Sequence, residues 1–172
     1  MGGSIQVEST QGAGTKFTVD ISFDIASEAD VYRNQISEQP DILEKLEGKR
    51  ILLAEDNDLN AEIAIELLAE QKIIADRAED GAECLDKLEK AVAGYYDMIL
   101  MDIQMPVMDG YGATARIRRM KDEKKASIPI IAMTANAFAE DRQKAISVGM
   151  NDHVAKPIDM KVLLPVMAKY IR

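Results

Sequence analysis

MILMDIQMPVMDG, Met98 to Gly110, drives four apolar residues straight into the carboxylate of Asp102, then into a proline and an Asp-Gly step. An ionised side chain at the end of a buried strand is costly unless something compensates it. Either Asp102 caps a loop or its charge is required, and the residues that surround it in the fold decide between the two.

The same pattern recurs on both sides of this stretch. ILLA (51–54) precedes a helical segment carrying Ile63, Ile65, Leu67 and Leu68, and KIIADRA (72–78) precedes one carrying Cys84, Leu85 and Leu88. MILM precedes a helix near 111–120, IPIIAM (128–133) one near 138–148, and a short strand at 152–155 leads into a helix ending near Ile171. Five such βα units predict an α/β fold, a five-stranded parallel sheet with helices on both faces. Right-handed crossovers make it open and doubly wound. Pro165 interrupts the last helix unless that helix starts late or kinks.

Polar residues fall at the carboxyl ends of these strands. Glu55 and Asp56 follow the first, Asp102 the third, Thr134 the fourth and Lys156 the fifth. Those ends line the crevice of an open α/β sheet, where ligands bind, so residues far apart in sequence converge. Three carboxylates in one cleft raise each other's pKa unless a cation relieves them. Oxygen donors without imidazole or thiolate suit Mg²⁺, which keeps several waters and takes phosphate oxygens. A hydroxyl and an ammonium facing the same point add a donor and a positive charge for a phosphoryl group. Taken singly, Glu55 and Asp56 read equally as helix cap and first-turn charge, Thr134 as a cap and Lys156 as a surface lysine. Their joint placement favours a carboxylate that accepts phosphate.

Composition narrows the remaining choices. The 172 residues, 47% of them apolar, suffice for one ordinary domain and something smaller. No apolar stretch approaches the roughly 20 residues that span a bilayer, and no basic-plus-apolar leader opens the chain; a cytoplasmic location without membrane contact is expected. A single cysteine, Cys84, and a single histidine, His153, exclude an internal disulfide and argue against zinc or iron–sulfur chemistry. The net charge is −9, with nine acids against three bases up to residue 48 and 21 against 18 beyond it, so no nucleic-acid partner is expected. The basic run Arg116, Arg118, Arg119, Lys121, Lys124 and Lys125 reads as the solvated end of a helix and the loop after it.

Residues 3–25 alternate in strand fashion, Ile5 and Val7 before TQGAG and Phe17, Val19, Ile21, Phe23 and Ile25 after it, which reads as a β-hairpin. Residues 26–48 are acidic and turn-rich, a linker with one amphipathic piece around Ile42, Leu43 and Leu46.

In ILLAEDNDLN, MDIQMPVMDG, MTANA and NDHVAKPI, the sequence over residues 49–172 resembles the receiver domain of two-component response regulators, of the kind fused to hybrid sensor histidine kinases. The resemblance implies a flavodoxin-like (βα)5 sheet of order 2-1-3-4-5 and phosphorylation of Asp102. It implies Mg²⁺, with Mn²⁺ as the alternative, held by Asp56, Asp102 and the backbone carbonyl of Gln104, and by Glu55 through water. Lys156, the hydroxyl of Thr134 and the backbone of Ala135 would meet the phosphoryl group. His153 stands at the family's switch position, where single-domain regulators often carry Tyr or Phe. Gln104 and Asn136 would tune the lifetime of the phosphoryl group, and Lys156-Pro157 matches a step at which the family often has a cis peptide. Implied partners are the histidine kinase domain of the parent protein, a histidine phosphotransfer protein, or both. Apart from the resemblance, the hairpin is expected either to dock on the receiver or to pair between chains by edge-strand addition, so that a weak homodimer forms through the hairpin or the last two βα units.

MGGSIQVESTQGAGTKFTVDISF, with its Gly-x-Gly-Thr turn at Gly12 to Thr15, resembles the final block of a histidine-kinase ATP-binding domain. Residues 1–25 would be a remnant unable to bind ATP, on a fragment of a larger, membrane-anchored or soluble hybrid kinase. Two other readings compete: an Asp-nucleophile phosphatase of the haloacid-dehalogenase type, which usually needs a second Asp where this chain has Gln104, and a binding domain of the same fold that is never phosphorylated.

Overall fold

A computed structural model describes residues 3–10, 12, 14–21, 40–135 and 139–171, within two compact units, Met1–Ser37 and Glu38–Arg172. In the first unit, strands β1 (Gly3–Thr10) and β2 (Gly14–Ile21) pair antiparallel. Ile5 faces Val19 and Val7 faces Phe17 across the ladder, as the alternation predicts. Gly12 (φ +84°) supplies the left-handed backbone that a tight reversal needs. Phe23 and Ile25, expected to continue the hairpin, lie outside the described residues.

The second unit begins earlier than the sequence suggests. Helix α1 (Pro40–Leu46) occupies the end of the expected linker, and Leu46 is fully buried in one of the two cores. The Lys45 Nζ donates to the Ala168 carbonyl at 2.6 Å. The amphipathic piece is therefore part of the α/β body, and the boundary expected at 48/49 moves back.

Five strands follow: β3 (Arg50–Ala54), β4 (Ile74–Ala78), β5 (Met98–Asp102), β6 (Ile130–Thr134) and β7 (Asp152–Ala155). They form one parallel sheet in the order β4-β3-β5-β6-β7, which is the expected 2-1-3-4-5. Every residue of β5 and β6 is buried, which is why these runs are apolar up to Asp102 and Thr134 rather than alternating.

Among the described residues six further helices follow: α2 (Asp58–Glu70), α3 (Gly81–Lys90), α4 (Gly110–Ile117), α5 (Glu123–Ala126), α6 (Ala139–Val148) and α7 (Met160–Tyr170). Successive strand residues point to opposite faces, so two cores result. Leu52, Ile99, Met101 and Ile130 pack with Cys84, Leu88, Ile117 and Ala145. Ile51, Leu53, Leu100 and Ile131 pack with Ala64, Leu68, Leu163 and Met167.

Several boundaries differ from expectation. β4 starts at Ile74 because Lys72 takes a left-handed turn (φ +60°) and the Ile73 amide donates back to Leu68. On α2 the contact face is Ala61, Ala64 and Leu68, small residues that let the helix approach the sheet, while Ile63 is exposed. α4 ends at Ile117. Arg118 is no solvated helix end: its guanidinium donates to the carbonyls of Ala126, Gly149 and Ile128 and to Asn151 Oδ1 at 2.7–3.0 Å. α7 starts late, after Asp159 caps it through Lys161 N, and still contains Pro165, which withholds one backbone donor from the helix. No described helix is long and apolar enough to cross a membrane.

Candidate functional site

Each site residue is placed by the end of a strand. The Glu55 amide donates to the Ala78 carbonyl at 3.0 Å, which carries the β3–β4 pairing one residue past β3. That extension buries Glu55 and leaves Asp56 exposed at the mouth. Asn57 then caps α2, its Oδ1 accepting from Asn60 N at 3.0 Å.

Arg77 of β4 grips the same turn from the side. Its guanidinium donates to the backbone carbonyls of Glu55 and Asp56, each at 3.1 Å, and pairs with Asp58 at 2.7 Å. A rigid fork suits this pairing of two adjacent acceptors.

Asp102 is the last residue of β5 and only 6% exposed. Its Oδ1 accepts from the Gln104 amide at 3.2 Å. The chain turns sharply over it, and a Cβ on Gly110 would lie 2.2 Å from the Asp102 carbonyl oxygen. Gly110 is thus required by close approach as the first residue of α4, which Asp109 caps through Gly112 N at 2.7 Å.

Lys156 follows β7, and its amide donates to the Thr134 carbonyl at 2.7 Å. Its ammonium lies 2.5 Å from Glu55 Oε2 and 2.7 Å from Asp102 Oδ2, bridging two buried carboxylates. Burial pushes the Asp102 carboxyl above its ordinary range, against the hydrogen bond from Lys156. Burial works against the charged Lys156 too, yet its bonds to Asp102 and Glu55 outweigh that and hold its pKa above the usual lysine value. The ammonium is the charge that makes this carboxylate pair tolerable.

Carboxylate oxygens of Glu55, Asp56 and Asp102 lie within 4.8 Å of one another. Hard oxygen donors at this spacing fit a divalent cation such as Mg²⁺. Thr134 ends β6, buried, one residue beyond the Asp102 partner Met133, and Ala135 follows it, exposed. The Lys156–Pro157 peptide is cis. Gln104 meets Asp102 through its backbone N–H. Asn136 lies outside the described residues.

His153 is not part of this cluster's hydrogen bonding. It sits in β7 opposite Ala132, its Nδ1 buried without a hydrogen-bond partner among the described residues and 3.6 Å from Asp152 Oδ1. Two residues that sequence reasoning passed over do reach the cluster, Arg77 and Asn60, whose Nδ2 donates to Glu55 Oε1 at 3.1 Å. Arg77 carries the one sequence signal, an arginine inside a strand next to the strand that ends in the acid pair.

Residues 51–168 match the family model described as "Response regulator receiver domain". The chain is 42% identical over 135 residues to hybrid signal transduction histidine kinase B of Dictyostelium discoideum, an alignment covering 73% of this chain but 7% of that protein. The chain thus spans less than a tenth of that relative. Among solved structures it resembles the receiver domain of sensor histidine kinase PA1611 from Pseudomonas aeruginosa, which has a magnesium ion coordinated in its active-site cleft; identity is 36%, TM-score 0.64, with 72% of this chain and 97% of that one covered. It also resembles the structure of the Saccharomyces cerevisiae phosphotransfer protein Ypd1 with the receiver domain of Ssk1, at 28% identity and TM-score 0.66, covering 73% and 90%.

Proposed function

The chain belongs to the response regulator receiver domain family, a signalling module rather than a classical enzyme, and from that premise we propose that Asp102 accepts a phosphoryl group from a phosphohistidine in a Mg²⁺-dependent phosphorelay. The observation that carries this reading is the Lys156 ammonium held between Asp102 and Glu55 beside Asp56. An Asp102 carboxylate oxygen forms the new P–O bond while the P–N bond of the donor breaks, its electron pair and a proton going to the leaving imidazole.

Lys156, the Thr134 hydroxyl and the Ala135 amide receive the phosphoryl oxygens. Asp56, Asp102 and the Gln104 carbonyl would hold the ion, with Glu55 acting through water; Mn²⁺ would satisfy the same oxygen preference. An ion held there would supply positive charge that offsets the charge developing on the phosphoryl group. On this reading Gln104 and Asn136 tune the lifetime of the phosphoryl group, and His153 takes the switch position.

A protein partner suits the surroundings of the site. Leu59 and Ile63 of α2 are exposed next to a cleft lined by Glu55, Asn60, Lys156 and Pro157. The donor or acceptor is then a histidine kinase domain or a histidine phosphotransfer protein, and the setting is the cytoplasm. Residues 1–25 are the tail of a kinase ATP-binding domain on this reading.

The test is direct. Metal-free protein incubated with Mg²⁺ and acetyl phosphate gains one phosphoryl group by intact mass, and the Asp102→Asn protein gains none. Absence of the adduct in the wild type, or its persistence in Asp102→Asn, overturns the assignment.

A further inference from the structure

Both oxygens of Glu55 are occupied within the chain itself. Oε2 meets Lys156 at 2.5 Å, and Oε1 meets the Asn60 side-chain amide at 3.1 Å. Asn60 is the third residue of α2. At that helix position a Glu or Gln commonly reaches back to the N-cap amide. Here the side chain reaches past the cap to Glu55, and it does so as a donor, which no carboxylate could do toward another.

The helix end does not need this bond. The Asn60 backbone amide is already capped by Asn57 Oδ1 at 3.0 Å, and Asn60 is solvent-exposed, so packing gives no reason to order its side chain. Its one shown consequence is the orientation of a buried carboxylate in the acidic cluster.

We propose that Asn60 is a positioning residue for the ion site: its amide pins Oε1 of Glu55, which keeps Oε2 on Lys156 and fixes the carboxylate relative to Asp56 and Asp102. The inference rests on the phosphoacceptor reading for the identity of the ion. Without the amide, the Glu55 carboxylate turns about its terminal bond and Lys156 is no longer held at a fixed point between Glu55 and Asp102. The spacing of the three carboxylates, within 4.8 Å, then loses one constraint.

The experiment is a titration of metal-free protein with MgCl2 by calorimetry, on the wild type, Asn60→Ala, Glu55→Ala and the double variant. Asn60→Ala is expected to weaken Mg²⁺ binding roughly three- to tenfold, the range of an ordinary net hydrogen bond, because the amide acts on the ion only through Glu55. In the Glu55→Ala background the same change should alter binding by less than about twofold, because the group it acts through is gone. Melting of Asn60→Ala in EDTA should stay within about 3 °C of the wild type, since the cap is intact and the better helix propensity of alanine offsets part of the lost bond.

Equal Mg²⁺ affinity in wild type and Asn60→Ala overturns the inference, as does the same loss in both backgrounds or a drop in metal-free stability that accounts for the loss. Wild-type protein that binds no Mg²⁺ overturns the phosphoacceptor reading and this inference with it. Wild-type binding matched by Asn60→Ala overturns this inference alone.

Discussion

Replacing Asp102 by asparagine is expected to stabilise the metal-free protein and to remove its stabilisation by Mg²⁺. Burial holds the Asp102 carboxyl above the unfolded value of 3.8, against the hydrogen bond from Lys156. A group with a raised pKa binds more protons in the folded chain than in the unfolded one. Its contribution to stability is therefore fully present below pH 3.8 and is lost as pH rises through the folded value. Asparagine keeps the shape and discards the charge, so this loss disappears at neutral pH. Lys156 is not orphaned by the change, because Glu55 remains 2.5 Å away.

Mg²⁺ reverses the order. An ion that binds only the folded chain stabilises it by about 2.7 kcal/mol at a hundredfold excess over its Kd. At roughly 2–4 °C per kcal/mol for a chain of this size, the wild type should melt about 5–10 °C higher than in EDTA. Asp102→Asn lacks one of three carboxylates in the cluster, and its gain at the same Mg²⁺ concentration should stay below about 2 °C. Melting curves followed by circular dichroism between pH 5 and 8, in EDTA and in MgCl2, measure both effects. An Asp102→Asn protein that melts below the wild type in EDTA at pH 7, or gains as much from Mg²⁺, would refute the reasoning.

Two further outcomes probe the frame around the site. Leu46→Ala empties a fully buried position of α1 and should cost about 2–5 kcal/mol in urea unfolding; a cost under about 1 kcal/mol would return residues 40–48 to the linker. Arg77→Lys keeps the charge and loses the fork that spans the Glu55 and Asp56 carbonyls. Mg²⁺ affinity should fall roughly three- to tenfold, and an unchanged affinity would show that the turn holds itself.

The strand ends were legible in the sequence because a polar residue follows each strand: a carboxylate breaks the apolar runs at Glu55, Asp56 and Asp102, a hydroxyl closes the run at Thr134, and Lys156 follows the mixed strand DHVA. Those signals locate Glu55, Asp56, Asp102, Thr134 and Lys156 without any knowledge of contacts. The amphipathic piece at Ile42, Leu43 and Leu46 was legible, but its attachment was not, because seven helical residues in an acidic stretch read equally as part of a linker; the burial of Leu46 and the Lys45–Ala168 bond tie it to the α/β body. Arg118 was misread for a related reason. A basic run looks solvated from its composition, while the four acceptors that bury this guanidinium come from segments up to 33 residues away. Asn60 was invisible as a partner because a polar residue in the first turn of a helix has an adequate local explanation already.

The electrostatics of the cluster connect these pieces. Asp102 beside a buried strand is unfavourable alone, and Glu55 buried next to it makes the position worse. Lys156 offsets one of the two charges, and Asp56 at the exposed mouth adds another. Three carboxylates against one ammonium leave a double negative charge, which a divalent cation neutralises. The arrangement is therefore poised rather than satisfied: the ammonium offsets part of the charge between Glu55 and Asp102, and on the phosphoacceptor reading proposed above its four-carbon stem gives it the reach to meet a phosphoryl group on Asp102. A guanidinium in its place would lock both carboxylates by bidentate bonds, and a neutral donor would leave them unpaired. A lysine whose position depends on Glu55, itself pinned by Asn60 and carried on a turn gripped by Arg77, is the element through which the surrounding frame can set how readily Asp102 reacts.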